Sequence, residues 1–224
     1  MTKLPRVAHG LLVAAVLMGS LASCSSELPA VGESLTIEQA ETLAQARFRL
    51  AAQGPFTVEV SVGGQDDVNH LEAELTVDHQ NLQAWGTVER GPQGLAITEQ
   101  VVLTDQIYAV NVDGVWQTGE LPTAALLVPF SMGADRPENA QILAQSDAQF
   151  LGSSKLDEQE VAVFRNVSES GQDSTTRLWV DEEGRLQRLD SGADETFSAT
   201  VLDQSPTPKP EDLVAFIDSL GTPR

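Results

Sequence analysis

Alternation with a period of two constrains this chain more than any other feature. Phe56, Val58, Val60 and Val62 alternate with Thr57, Glu59 and Ser61. Leu71, Ala73, Leu75 and Val77 alternate with Glu72, Glu74 and Thr76. Such a strand has one dry face and one wet face. Gly63-Gly64 through Asn69 and Asp78 through Asn81 are hairpin-length links. Segments 82–89, 97–103 and 107–112 continue the series. Asp113-Gly114 is a strong two-residue turn signal and leads into 115–118. After an interruption, 160–168, 175–181, 185–190 and 195–202 regain strand character, with Asp181 to Gly184 as a turn. Strands never alternate with helices one for one, which excludes a doubly wound parallel fold. The predicted class is α+β, built on a meandering antiparallel sheet.

A sheet dry on one face needs a cover. Thr36 to Gln53 is an amphipathic helix, with Thr36 and Gln39 spaced as a capping box and Gly54-Pro55 as the stop. Pro122 to Phe130 is apolar without alternation, and Pro137 to Leu151 reads as a helix with Pro in its first turn. Pro206, Pro208 and Pro210 form a stiff linker before a short helix at 211–220. About nine amphipathic strands in one sheet curl. The expectation is therefore a curved sheet wrapped over helices, a half-barrel able to leave an apolar cavity. Trp85 is out of phase with Leu82, Ala84 and Val88 and is expected to face outward.

The N-terminus reads as an address. Lys3 and Arg6 precede an apolar run from Val7 to Met18, too short for the roughly 20 residues of a spanning helix. Leu21-Ala22-Ser23-Cys24 follows and resembles the bacterial lipobox. That resemblance implies that residues 1–23 are a signal peptide and that Cys24 carries a diacylglyceryl anchor. At about 0.8 kcal/mol per buried CH₂, two acyl chains hold stably to a bilayer. Cys24 is the sole cysteine, so no internal disulfide forms. Residues 24–34 read as a polar tether, 35–204 as the half-barrel domain and 205–224 as the linker and terminal helix. Thirteen Lys and Arg stand against 33 Asp and Glu, a formal charge of −20. Loss of Lys3 and Arg6 with the signal peptide takes it to −22. That balance argues against nucleic acid as a partner and against a polybasic grip on membranes.

The opening Leu35-Thr36-Ile37-Glu38-Gln39-Ala40 and the late hairpin, Arg177-Leu178-Trp179-Val180-Asp181 to Gly184-Arg185-Leu186, carry a second likeness. With the lipobox, the meander and the mid-chain helices, they resemble the LolA/LolB-like half-barrels. They are most similar to the actinobacterial LppX/LprG-type lipoproteins, over roughly Leu35 to Leu202. The resemblance implies an extracytoplasmic protein held at the cell membrane by its lipid anchor. It would bind acylated lipid or lipoglycan in an apolar cavity and carry or present it in the envelope, in exchange with an envelope transport partner.

The candidate cavity wall is Val58, Val60, Leu71, Leu75, Val101 and Leu103, with Leu126, Leu127 and Phe130 as a gate and Trp179 beside it. No G-x-S-x-G, HExxH or P-loop is present, so the chain reads as a non-enzyme without cofactor. His70 and His79, with Asp66, Asp67 and Asp78 nearby, read as exposed hairpin residues, not as a metal site. Asp181-Glu182-Glu183 reads as a solvated turn. A second reading stays open: an envelope-tethered interaction domain whose sheet packs tightly on its helices. A continuous apolar cavity of several hundred Å³ separates the two. For the anchor, Cys24→Ala is expected to release the chain into the soluble fraction and abolish incorporation of labelled lipid. Unchanged sedimentation with membranes and unchanged labelling would refute it.

Overall fold

The computed structural model describes residues 31–64, 67–92, 95–167, 175–191, 197–203 and 206–219. Cys24, the expected signal peptide and the tether as far as residue 30 lie outside the described residues.

Two meanders meet in one open antiparallel sheet. The first runs through β2 (Phe56–Val62), β3 (Leu71–Asp78), β4 (Gln83–Arg90), β5 (Ile97–Thr104), β6 (Tyr108–Val112) and β7 (Val115–Gly119). The second runs through β8 (Gln149–Leu156), β9 (Gln159–Val167), β10 (Thr175–Asp181), β11 (Leu186–Ser191) and β12 (Phe197–Asp203). β12 pairs with β2, and a two-residue strand β1 (Glu33–Ser34) adds to β8. The spatial order is β1-β8-β9-β10-β11-β12-β2-β3-β4-β5-β6-β7. The sheet does not close, and its architecture is the curved α+β half-barrel expected from the alternation. At Gly86 a Cβ would stand 1.9 Å from Glu74 O, so only glycine lets β4 approach β3 this closely.

The dry face carries the core. Val58, Val60, Leu75, Val77, Ala84, Val88, Val101 and Leu103 are all fully buried. Helix α1 (Ile37–Ala51) lies over this face and buries Ala40, Leu43, Ala44, Ala46, Leu50 and Ala51. Its capping box forms: Gln39 N donates to Thr36 Oγ1 at 3.3 Å, and Thr36 N donates to Gln39 Oε1 at 2.9 Å. A turn of 3₁₀ helix (Ala124–Leu127), α2 (Val128–Met132) and α3 (Ala140–Gln145) complete the cover.

The expected helix from Pro137 to Leu151 is much shorter, because its caps lie further in. Asn139 Oδ1 accepts from the N–H groups of Gln141 (3.0 Å) and Ile142 (3.3 Å), starting α3 there. Ser146 turns extended and its hydroxyl donates to Leu143 O at 2.8 Å, ending the helix. Phe150 then belongs to β8 and meets Phe164 of β9 with ring centroids 5.6 Å apart. Glu33 and Ser34, the last residues of the expected tether, pair with Phe150 and Gln149.

The outer face has its own small core. Trp85 points outward, as its phase predicts, yet is only 6% exposed. The described C-terminal residues lie over it, ending in α4 (Glu211–Ser219). Leu213 of α4 packs with Trp85, Val102 and Ala109, and Phe216 stacks on Trp116 at 5.9 Å. Trp85 Nε1 donates to Thr207 O (3.2 Å) and Trp116 Nε1 to Asp212 Oδ2 (3.0 Å). Leu213→Ala should cost about 2–4 kcal/mol of stability in urea unfolding. The exposed neighbour substitution Val214→Ala should stay within about 0.5 kcal/mol. Equal effects would show that α4 does not contribute its docking energy to the domain.

Candidate functional site

A cavity of about 390 Å³ lies between the helical cover and the β9–β11 part of the dry face. Leu43 and Ala46 of α1, Val128 of α2 and Leu143 of α3 form its roof. Leu178, Leu186 and Leu189 form its floor. The sequence builds it by economy of volume: α1 places Ala40, Ala44 and Ala46 toward the interior, and the short α3 leaves room beside them.

One register row crosses the sheet at the end of this cavity. Asn166 pairs with Thr176, Thr176 with Ser191, and Ser191 with Phe197. Phe197 pairs with Val62, Val62 with Leu71, and Leu71 with Arg90. The first three are polar, half-buried and line the cavity. They share the phase of Phe164, Leu178 and Leu189, so the dry face turns polar toward this end.

Arg47 clasps the cover at the cavity's side. Its Nε donates to Ser131 O at 2.6 Å, its Nη2 bonds the same oxygen, and its Nη1 reaches Glu138 Oε1 at 3.2 Å. Glu138 N donates to Ala44 O at 2.8 Å, joining the start of α3 to α1 a second time. His79 Nδ1 donates to Phe130 O at 3.1 Å, and its Nε2 faces Asp135 at 3.3 Å. Gly133 makes this possible, since a Cβ there would stand 2.7 Å from the His79 ring.

The residues proposed for the wall sit elsewhere on the same face. Val58, Val60, Leu71, Leu75, Val101 and Leu103 are each at most 3% exposed and join one packed core cluster. None of them lines the 390 Å³ cavity. Leu71 borders a shallower hollow of about 510 Å³ with Val62, His70, Arg90 and Pro122. Val101 borders a hollow of about 220 Å³ under the C-terminal segment. Leu126 is fully buried, and Leu127 and Phe130 are partly buried against the core, so the apolar 122–132 segment is cover. Trp179 faces the other way from Leu178: its Nε1 donates to Asp190 Oδ2 at 2.7 Å, and Arg188 lies 5.5 Å over its ring. Sequence reasoning overlooked Asn166, Thr176, Ser191 and Arg47. The available signal was a polar residue in the dry phase of β9, β10 and β11.

Two further readings need correction. His70 is not exposed: it is 7% accessible, with Nδ1 3.3 Å from Gly63 O and Nε2 3.2 Å from Glu72. Nor is Asp181 a solvated turn residue. Its carboxylate is buried and accepts from Arg185 N (2.8 Å), Arg185 Nε (2.7 Å) and Gln187 Nε2 (2.6 Å). Among the described residues no group of three His, Cys, Asp or Glu is placed to hold a metal ion.

These features define an open half-barrel with an amphipathic cavity under its helical cover. The fold is that of LprF from Mycobacterium bovis, at a TM-score of 0.52 and 14% identity over 81% of this chain and 99% of that one. Lipoprotein LppX from Mycobacterium tuberculosis is similar at a TM-score of 0.44 and 16% identity, over 75% of this chain and 97% of that one. A LolA superfamily protein from Nitrosomonas europaea gives 0.30 and 13%, over 80% and 97%. No family profile and no curated protein matches the sequence.

Tyr108 is the sole tyrosine and is 7% exposed, and among the described residues its hydroxyl has no hydrogen-bond partner. Burial pushes its ionisation above the ordinary 10.0; the Glu99 charge adds to this and Arg90 partly offsets it. The unfolded chain therefore loses this proton first. The contribution is fully present below pH 10 and is lost as pH rises through the higher folded value. A phenolate absorbance titration of the folded chain should show a midpoint above 10. Tyr108→Phe should be neutral, or stabilise by about 1 kcal/mol, because it removes an unpaired buried hydroxyl. An ordinary midpoint together with a destabilised Phe variant would contradict this environment.

Proposed function

We propose that this chain is an extracytoplasmic lipoprotein, anchored through Cys24, that binds acylated lipid in the cavity beneath its helical cover. It carries or presents that lipid in the cell envelope and performs no chemistry on it. The observation that carries the reading is the 390 Å³ cavity floored by Leu178, Leu186 and Leu189 between the helical cover and the dry face of the sheet. Its size lies within the roughly 300–1,000 Å³ of small-molecule sites. With about 30 Å³ for a group the size of water or methylene, it accepts on the order of a dozen methylenes. That is the tail of one acyl chain. Burial of apolar chain at about 25 cal/mol per Å² drives entry.

The gate in this reading is the 126–130 segment. Leu126, Leu127 and Phe130 pack on the core while Val128 reaches the cavity. The Val58, Val60, Leu71, Leu75, Val101 and Leu103 face is the packed continuation of the same wall, into which a longer chain extends only by displacing the cover. An envelope partner that receives the lipid meets the domain at this cover.

Two tryptophan substitutions test the reading. Leu178→Trp enters the cavity and should lower the non-covalent lipid extracted from purified chain several-fold, with little change in melting temperature. Val60→Trp enters the packed half and should cost about 1–3 kcal/mol. If Leu178→Trp destabilises as strongly as Val60→Trp and leaves the extractable lipid unchanged, the interior is simply core. The interaction-domain reading then takes its place.

A further inference from the structure

The lipid reading leaves the cavity's polar end without a role. Asn166, Thr176 and Ser191 stand side by side on β9, β10 and β11, on the face that elsewhere carries Phe164, Leu178 and Leu189. All three are half-buried and line the cavity. Among the described residues none of their side chains has a hydrogen-bond partner. Three polar groups on the dry phase of a sheet, unpaired and facing one hollow, leave hydrogen-bonding capacity for something that enters it.

We propose that Asn166, Thr176 and Ser191 form a headgroup subsite selecting a neutral, hydroxyl-bearing, single-chain amphiphile; the inference rests on the cavity being a lipid site. The polarity gradient supplies the orientation. Thr176 and Leu178 are two residues apart on β10, about 6.6 Å along the strand. A headgroup on the polar row therefore places its first methylenes over Leu178 and Leu189, with Leu186 deeper in. The hydrogen-bond inventory supplies the chemistry. Asn, Thr and Ser each donate and accept, so a hydroxyl, which also does both, satisfies them in both senses. A carboxylate or a bare ester only accepts. Charge selects further: among the described residues Arg47 is the one cation lining the cavity, and it is already bonded to Ser131 O and to the Glu138 carboxylate. An anion would enter a chain of net charge −20 with no free countercharge among the described lining residues.

The test uses the full chain freed of extracted lipid and three probes with the same tail, each below its aggregation concentration. They are 1-monomyristoylglycerol, myristate and methyl myristate, measured by calorimetric titration. The monoacylglycerol should bind about tenfold tighter than either of the others. Thr176→Val should weaken it by about three- to tenfold, the loss of one neutral hydrogen bond. Methyl myristate should stay within about twofold, Thr176→Ser should restore binding, and an unchanged melting temperature should show that the variants fold. Equal binding of the three probes overturns the subsite and leaves the lipid reading standing. So does a Thr176→Val effect that is absent or common to all three. Tighter binding of myristate overturns the neutral selection. Failure of every probe to bind overturns the lipid reading and this inference with it.

Discussion

The pairing of β12 with β2 holds the two meanders together, with Phe197 and Val62 opposite each other although 135 positions apart in the chain. Without it each meander has its own dry face and an exposed central edge, which invites pairing with other chains. With it, Val201 and Val58, and Ala199 and Val60, extend one dry surface from β9 to β6. Only then does a short cover suffice: α1 lies against β11 in one half and α2 against β3 in the other. The loop-closure cost of so distant a contact is borne once, and the antiparallel hairpins on both sides are local. The cavity is a consequence, because a single cover must span both halves and fits one better than the other.

The outer face shows what that dry surface compensates. Glu59 stands opposite Glu74, and Glu72 opposite Glu89, all four exposed. Like charges directly across a strand pair are destabilising. Exposure to water and salt keeps each repulsion small. On the reverse side of the same strands Val58 faces Leu75 and Val60 faces Ala73, fully or nearly fully buried. A chain of charge −20 thus keeps its repulsion in solvent and its adhesion on the other side of the sheet.

The strands were legible because alternation reports burial of one face directly, and Phe56 to Val77 needed no further information. The opening helix was legible from Thr36 and Gln39, whose reciprocal cap is local. What stayed hidden depends on distant partners. Glu33 and Ser34 become a strand only because β8 offers an edge, and nothing local marks them. Phe150 and Leu151 suit a helix as well as a strand, and pairing with β9 decides between them. Trp85 was visible as outward-facing, but not that Leu213 and Thr207 return over it. The candidate wall was chosen by dryness, and the driest positions are those that pack and leave no space. The cavity formed where small α1 residues and a short α3 leave room over β9 to β11, and the polar Thr176 and Ser191 line part of it.

The cover itself is held by two kinds of interaction. Over β2 to β5 it is held by Leu126 and Met132, both fully buried, and opening there would expose apolar surface. Over β9 to β11 it is held by packing as well, through the buried Leu43, Ala46 and Leu50 of α1, and hydrogen bonds tie the helices of the cover to one another: Arg47 to Ser131 O and Glu138, and Glu138 N to Ala44 O. Water replaces such bonds at little net cost, whereas it does not replace packing. The ties between helices thus hold less firmly than the buried side chains of α1 and α2 that hold the cover to the sheet. Packing therefore fixes the cover on both halves, α1 on β11 and α2 on β3, and the hydrogen bonds set how its helices sit against one another.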